Sequence, residues 1–255
     1  MVNSKKIICF IFARGGSKAI PGKNILFLKS NHGYLLISNI RFLNGKPLIA
    51  YSIEIAKALP IIKEVILSTD SNEIAEVAKA YGANVPFMRP QELASDTAPE
   101  LLAWKHAITY MLDNDLMTEE DVFLSLPPTA PLRNITDVND VISKLASDEK
   151  LDLVVTGAKA HRHPAFNMLQ KNDHGYLKCY DERGNFTRRQ DTEPVFDMTT
   201  VAYAARAKYI LKTDHLLDGN IGLVEVPKER ALDIDDLSDL VLAEFYLQQC
   251  KVVVA

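Results

Sequence analysis

A chain of 255 residues with 47% hydrophobic content can bury one large α/β core, or such a core with a small appendage. Its net charge of −4 argues against nucleic acid or a membrane surface as the main partner, so any basic site must be local. Cys9, Cys179 and Cys250 are widely spaced with no C-x-x-C, which excludes a disulfide framework and a zinc site and fits a reducing cytosol.

The run Lys6–Phe12 (KIICFIF) reads as a buried first strand. The apolar run from Ile7 to Ala13 is only seven residues, too short for a signal segment or a membrane span, so a soluble cytoplasmic protein is expected. The strand leads into ARGGSKAIPGKN, Ala13 to Asn24. This loop is neither a mononucleotide P-loop, because Asn24 follows Gly22-Lys23, nor a dinucleotide fingerprint, because G-x-G-x-x-G is absent. A nicotinamide oxidoreductase is disfavoured with it. Its position is nevertheless telling, since open α/β sheets bind ligands beyond the carboxyl ends of their strands. Arg14 can fork onto phosphate oxygens, Lys18 and Lys23 supply movable point charges, and Gly15-Gly16 allow close backbone approach. Together they suit a nucleoside triphosphate; the plainer alternative is a solvated basic turn.

Next, KNILFL at Lys23–Leu28 is echoed by SNIRFL at Ser38–Leu43, and the stretch between looks inserted. It reads as a surface hairpin, with a lid or partner contact as the alternative. A helix is predicted over Pro47–Leu59, a strand over Glu64–Asp70, and a helix capped by Ser71 and stopped by Gly82. Another helix covers Ala98–Leu112, with Trp104 and Tyr110 on its apolar pattern as core. A strand then runs into the proline-rich turn ending at Arg133, a helix covers Thr136–Ser147, and a strand covers Leu151–Ala158. This alternation predicts a layered, mostly parallel sheet with helices on both faces. The pattern breaks into short polar strands at 159–195, predicting a protruding subdomain there and a core made of 1–158 and 196–255. Within the core's second part, strands are expected at Thr199–Arg206 and Gly222–Pro227, and a closing helix at Asp235–Gln249.

Several residues here carry chemistry. In ALDIDDLSDL, Asp233 and Asp235 fall on one side of an extended segment while Leu232, Ile234 and Leu237 pack. Two neighbouring carboxylates suit Mg²⁺, completed by substrate phosphates; equally, the segment suits a helix start, with Asp236 as the cap. Asp70 sits past the second strand as a helix cap or metal-site member. Arg89 suits a base, a phosphate or a pairing with Glu92. Arg133 and Arg188-Arg189 could hold an anionic second substrate. His161 and His163 lack a third metal ligand and read as ordinary residues of a polar hairpin.

Eight segments in order resemble the acylneuraminate cytidylyltransferases, the CMP-sugar synthetases that act on nine-carbon and related 2-keto acids: ARGGSKAIPGKN, LNGKPLIAYSI, LSTDSNEIAEVAKAYGA, RPQELASDTAP, PPTAPLR, HRHP, RRQD and LDIDD. The resemblance implies a Rossmann-like, three-layer nucleotide-diphospho-sugar transferase fold, CTP and a sugar acid as substrates, Mg²⁺, and a homodimer built through the subdomain. It implies that Arg14, Gly15, Gly16, Ser17, Lys18, Lys23 and Asn24 hold the nucleotide, with Lys18 and Lys23 also catalytic. Arg89 and the backbone near Ala98 would recognise cytosine; Glu100 departs from the family by replacing a small residue near the ribose, and its carboxylate can accept hydrogen bonds from ribose hydroxyls. Arg133, Arg189, Gln190, Thr199 and Thr200 would meet the sugar acid, and Asp233 and Asp235 the metal. The family often has Gln where Pro127 stands and Asn-Gly where Thr199-Thr200 stand. A legionaminic-like, pseudaminic-like or eight-carbon 3-deoxyulosonic acid therefore competes with sialic acid as substrate. The rival readings are a 3-deoxy-octulosonic acid cytidylyltransferase and a non-catalytic nucleotide-binding homologue.

Overall fold

A computed structural model describes residues 5–16, 26–30, 33–37, 42–181, 186 and 188–252. Strand β1 (Ile7–Phe12) is followed by a hairpin of β2 (Leu26–Ser30) and β3 (Gly33–Ile37) and a short ladder of β4 (Phe42–Leu43) and β5 (Lys46–Pro47). Then come α1 (Leu48–Ala58), β6 (Ile62–Ser68), α2 (Asn72–Ala80), α3 (Glu100–Asp113), β7 (Val122–Ser125), α4 (Ile135–Ser147) and β8 (Leu153–Lys159). A separate hairpin of β9 (Leu169–Lys171) and β10 (Leu177–Cys179) precedes β11 (Phe196–Arg206), α5 (Ala207–Lys212), β12 (Ile221–Glu225) and α6 (Leu237–Val252).

Six strands form the central sheet in the order β12-β8-β11-β7-β1-β6. β1 runs parallel to both β6 and β7, and β12 parallel to β8, while β11 is antiparallel to both its neighbours. The continuous apolar run of β1 follows from burial on both faces. Ile7, Cys9 and Ile11 face a layer of α1, α2 and α4, and Ile8 and Phe10 face α3 and α5. On that second face Phe123 stacks on Phe10 at 5.0 Å and meets Trp104 at 4.9 Å. Trp104 is only 1% exposed, as its place on the apolar stripe predicts. Tyr110 packs on Phe87 and donates its hydroxyl to the Pro86 carbonyl at 2.9 Å.

The punctuation works as expected at α2: the Ser71 side chain accepts from the Ile74 N–H, and Gly82 takes φ +91° beyond the helix. Asn134 and Asp137 form a reciprocal capping box on α4 that the sequence reading did not foresee. That reading also missed α5 and began β11 three residues late. The inserted stretch does pair as a hairpin, from Leu26↔Ile37 to Ser30↔Gly33.

Two consequences matter for function. The carboxyl ends of β1, β6 and β7 meet at one edge of the sheet. Between β8 and β11 the chain leaves the sheet for the β9–β10 hairpin, and its described residues there contribute no strand to the core.

Candidate active site

The backbone of β1 continues past its end through Ala13, whose N–H donates to the Ser68 carbonyl at 3.1 Å. Gly15 then donates its N–H to the Asp70 Oδ1 at 2.7 Å. Asp70 thus anchors the start of the loop, and Ser71 rather than Asp70 takes the helix cap. A Cβ added at Gly16 would meet nothing within 4 Å among the described residues. Ser17, Lys18, Lys23 and Asn24 lie outside the described residues.

Beside this loop lies a pocket of about 280 Å³ lined by Phe12, Arg14, Arg89, Asp96, Ala98 and Glu100 among others. Four of the residues expected at the nucleotide therefore converge. Arg14 pairs with Asp96 at 2.7 Å across the pocket's rim. Arg89 is 7% exposed and lies over the Phe12 ring. Its Nη2 donates to the Ser68 carbonyl at 2.6 Å and its Nε to the Ser68 hydroxyl at 3.0 Å. The guanidinium is thus fastened to the end of β6 rather than to Glu92, with other N–H groups left over. Burial lowers its pKa, and the charges of Asp70 and Glu100 oppose that shift.

Glu100 opens α3 and accepts from the Trp104 indole N–H at 3.2 Å. It is solvent-accessible because the pocket is open, yet enough protein surrounds its carboxyl to raise the pKa. Burial is the main cause, the Trp104 hydrogen bond and Arg89 oppose it, and Asp233 adds to it. Asp233, the source of that last influence, lines a second pocket.

The second pocket, about 340 Å³, is lined by Thr199, Thr200, Asp233, Asp197, Met198 and Lys228 among others. Ile234 is 2% exposed and its N–H donates to the Thr129 carbonyl at 2.8 Å, which pins the aspartate segment. Among the described residues, Asp233 Oδ1 is buried and has no hydrogen-bond partner. A buried carboxylate oxygen left bare is costly, and a cation is the natural occupant. Asp235, on the far side of Ile234, is exposed. Asp236 takes the helix cap: its Oδ1 accepts the Asp239 N–H at 3.0 Å, while its own N–H donates to Asp239 at 2.8 Å. Among the described residues, no group of three or more His, Cys, Asp or Glu side chains could hold a metal alone. Asp233 lines the pocket and Asp235 does not, so a cation here would rest first on Asp233, with Asp235 and ligand oxygens as further donors.

Tyr203, which the sequence reading passed over, packs on Trp104 at 5.5 Å. Burial raises its phenol pKa, and the charges of Glu100 and Asp233 raise it further, so it senses both pockets. Its only signal in the sequence was a tyrosine four positions after Thr199, on the strand's core face.

Other expectations are corrected or relocated. Arg133 lies outside both pockets and is 3% exposed. Its Nε donates to the Val201 carbonyl at 2.6 Å, its Nη1 to the Ser52 hydroxyl at 2.6 Å, and its Nη2 to the carbonyls of Pro127 and Thr200. Those bonds are internal, so it is a strut rather than a surface anchor for an anion. Gln190 lines a separate groove of about 580 Å³ with Lys159, Arg162, His163 and Glu193. Arg189 begins the short 3₁₀ turn that holds Gln190. His163 accepts the Ala165 N–H at Nδ1 and faces the Glu193 carbonyl with Nε2, both at 3.0 Å, which is a structural role. No helix among the described residues is long and apolar enough to cross a membrane.

Comparison with known proteins follows the same lines. A family model described as cytidylyltransferase matches residues 38–241. The CMP-N,N'-diacetyllegionaminic acid synthase of Campylobacter jejuni is 32% identical over 242 residues, covering 95% of each chain. The pseudaminic acid cytidylyltransferase of another C. jejuni strain is 33% identical over 239 residues, covering 94% of this chain and 95% of its own. Among solved structures, a CMP:2-keto-3-deoxy-manno-octonic acid synthetase complexed with CTP superposes with a TM-score of 0.66 over 96% of this chain and 99% of its own, at 18% identity. At that identity the likeness speaks for the fold.

Proposed function

The chain belongs to the cytidylyltransferase family, and from that premise we propose that it activates a nonulosonic sugar acid with CTP, yielding the CMP-sugar and pyrophosphate. The observation that carries this reading is a pair of pockets. One gathers Arg14, Arg89 and Glu100 beside the β1 loop, and the other surrounds the partnerless Asp233 Oδ1 beside Thr199 and Thr200.

On this reading the anomeric hydroxyl of the sugar acid attacks the α-phosphorus of CTP. Its proton passes to solvent, and the bond to pyrophosphate breaks. Arg14, with Ser17, Lys18, Lys23 and Asn24, holds the phosphates, and Lys18 and Lys23 stabilise the charge that builds on the leaving group. Arg89 and the backbone near Ala98 read the cytosine, and Glu100 accepts from ribose hydroxyls. Asp233 and Asp235 would hold Mg²⁺, which supplies charge neutralisation at the phosphates. Thr199 and Thr200 face the sugar acid.

Arg189 and Gln190 reach that acid from the subdomain of a second protomer in a homodimer. The apolar surface this requires is present: Tyr176, Leu177 and Tyr180 are 73%, 65% and 62% exposed, and Met198 is 52% exposed.

The legionaminic and pseudaminic relatives, with Thr199-Thr200 in place of Asn-Gly, favour an acid of that kind over sialic acid. The test is pyrophosphate release with CTP and Mg²⁺ against sialic, legionaminic, pseudaminic and 3-deoxy-octulosonic acids. Release with a nonulosonic acid is expected. Release with the octulosonic acid alone would replace the substrate class, and CTP binding with no release from any acid would point to a non-catalytic homologue.

A further inference from the structure

Strand β11 contains a bulge beside the second pocket. Its pairing with β8 steps from Thr199↔Thr156 directly to Tyr203↔Val155, so Thr200, Val201 and Ala202 have no counterpart in β8. Bulges bend a strand and re-aim its side chains, and they leave backbone groups outside the ladder that must find other partners. Here two buried side chains supply them. Arg133 donates to the carbonyls of Val201 and Thr200 on one side and to Ser52 and Pro127 on the other. Thr156, fully buried, accepts at its hydroxyl from the Ala202 N–H at 3.2 Å and from the Thr199 hydroxyl at 2.8 Å.

We propose that Arg133 and Thr156 are positioning residues for the sugar acid: they clamp the β11 bulge in the one shape that presents Thr199 and Thr200 to the pocket beside Asp233. The inference rests on the nucleotidyl-transfer reading above. A guanidinium suits the task because its rigid fork ties three segments together, the turn at Pro127, helix α1 at Ser52 and the bulge, where a lysine's point charge would serve one.

The test uses Arg133→Lys and the isosteric Thr156→Val, with initial rates taken against each substrate at saturating levels of the other. In both variants the KM for the sugar acid is expected to rise about tenfold or more while the KM for CTP stays within about twofold. Amide hydrogen exchange over 199–203 should quicken by about tenfold, with peptides of β6 and α2 unchanged. If only the melting temperature falls, or if both KM values rise together, the residues merely support the fold and the proposal is overturned. Should Arg133→Lys fail to fold, Thr156→Val gives the same readings. A wild-type enzyme inactive with every acid would overturn the reaction itself, and this proposal with it; the exchange data would then still report whether the two residues hold the bulge.

Discussion

Replacing Asp233 with asparagine separates a metal-holding role from a structural one, because the two predict opposite changes. Among the described residues Oδ1 is buried with no hydrogen-bond partner, so in the metal-free chain that oxygen contributes no bond that the substitution would remove. Relieving a bare buried charge is favourable by on the order of 1 kcal/mol, which for a chain of this size leaves the melting temperature unchanged or raised by about 2–4 °C. Ligand binding tells the opposite story. For the wild type, CTP with Mg²⁺ at about a hundred times its dissociation constant should add about 2.7 kcal/mol of stability, roughly 5–10 °C. Losing a charged ligand worth about 3 kcal/mol should abolish most of that shift and lower turnover by about a hundredfold. Thermal melts with and without CTP and Mg²⁺, alongside pyrophosphate release, read both halves. Near-normal Mg²⁺-dependent turnover, or a large fall in the metal-free melting temperature, would refute the reasoning.

Asp70→Ala removes the acceptor that fixes the Gly15 N–H at 2.7 Å. A charge-assisted bond of about 1.5–3 kcal/mol should appear as a KM for CTP raised about tenfold or more with kcat at saturation kept; a collapse of kcat instead would place Asp70 at the metal. Glu100 titrates above the ordinary 4.5 in the folded chain, so between those values the folded state holds a proton the unfolded state has released, and stability falls as pH rises through that window. Melting curves of wild type and Glu100→Gln should therefore diverge in the variant's favour as pH climbs above 4.5, and parallel curves would contradict the shift. Leu177→Glu, at a position 65% exposed, should yield a monomer by sedimentation with pyrophosphate release lost; an intact dimer would clear that face of the role.

The sheet and its helices were legible because burial imposes a period. β1 is apolar on both faces and α4 on one stripe, and glycine, proline and serine mark the ends. The nucleotide-side pocket was legible in two ways: Arg14 follows the end of β1, where a parallel sheet binds ligands, whereas Arg89, Ala98 and Glu100 were expected there only through the family resemblance. Arg133 was not. In sequence it is an arginine after a proline-rich turn, and arginines are usually exposed. What recruits it to the interior is a bulge 68 positions away, and nothing local to either segment announces the other. Tyr203 was hidden for the converse reason: a tyrosine on a strand's core face looks like packing, and only the carboxylates placed near it by distant segments make it more. Long-range partners chosen by the fold, rather than by spacing, define the part of the site that pattern reading could not reach.

The electrostatics of the site explain how an acidic chain can accept a triphosphate and a carboxylic acid together. Each described arginine near the pockets already has an occupation: Arg14 with Asp96, Arg89 with Ser68, Arg133 with the bulge. These differ in how firmly they are held. The Arg14–Asp96 pair is about one-third exposed on both sides, and pairs of that kind are worth about 0–1 kcal/mol, so a phosphate can draw Arg14 away at little expense. Arg89 and Arg133 are buried and bound to backbone, so they act as fixed positive charge that shapes the pockets without moving. On the proposed reading, neutralising a triphosphate would then fall to Arg14, to the cation proposed at Asp233, and to Lys18 and Lys23. A site whose buried arginines are committed to the scaffold needs further cations, and that need is the physical reason for the role proposed for the two lysines.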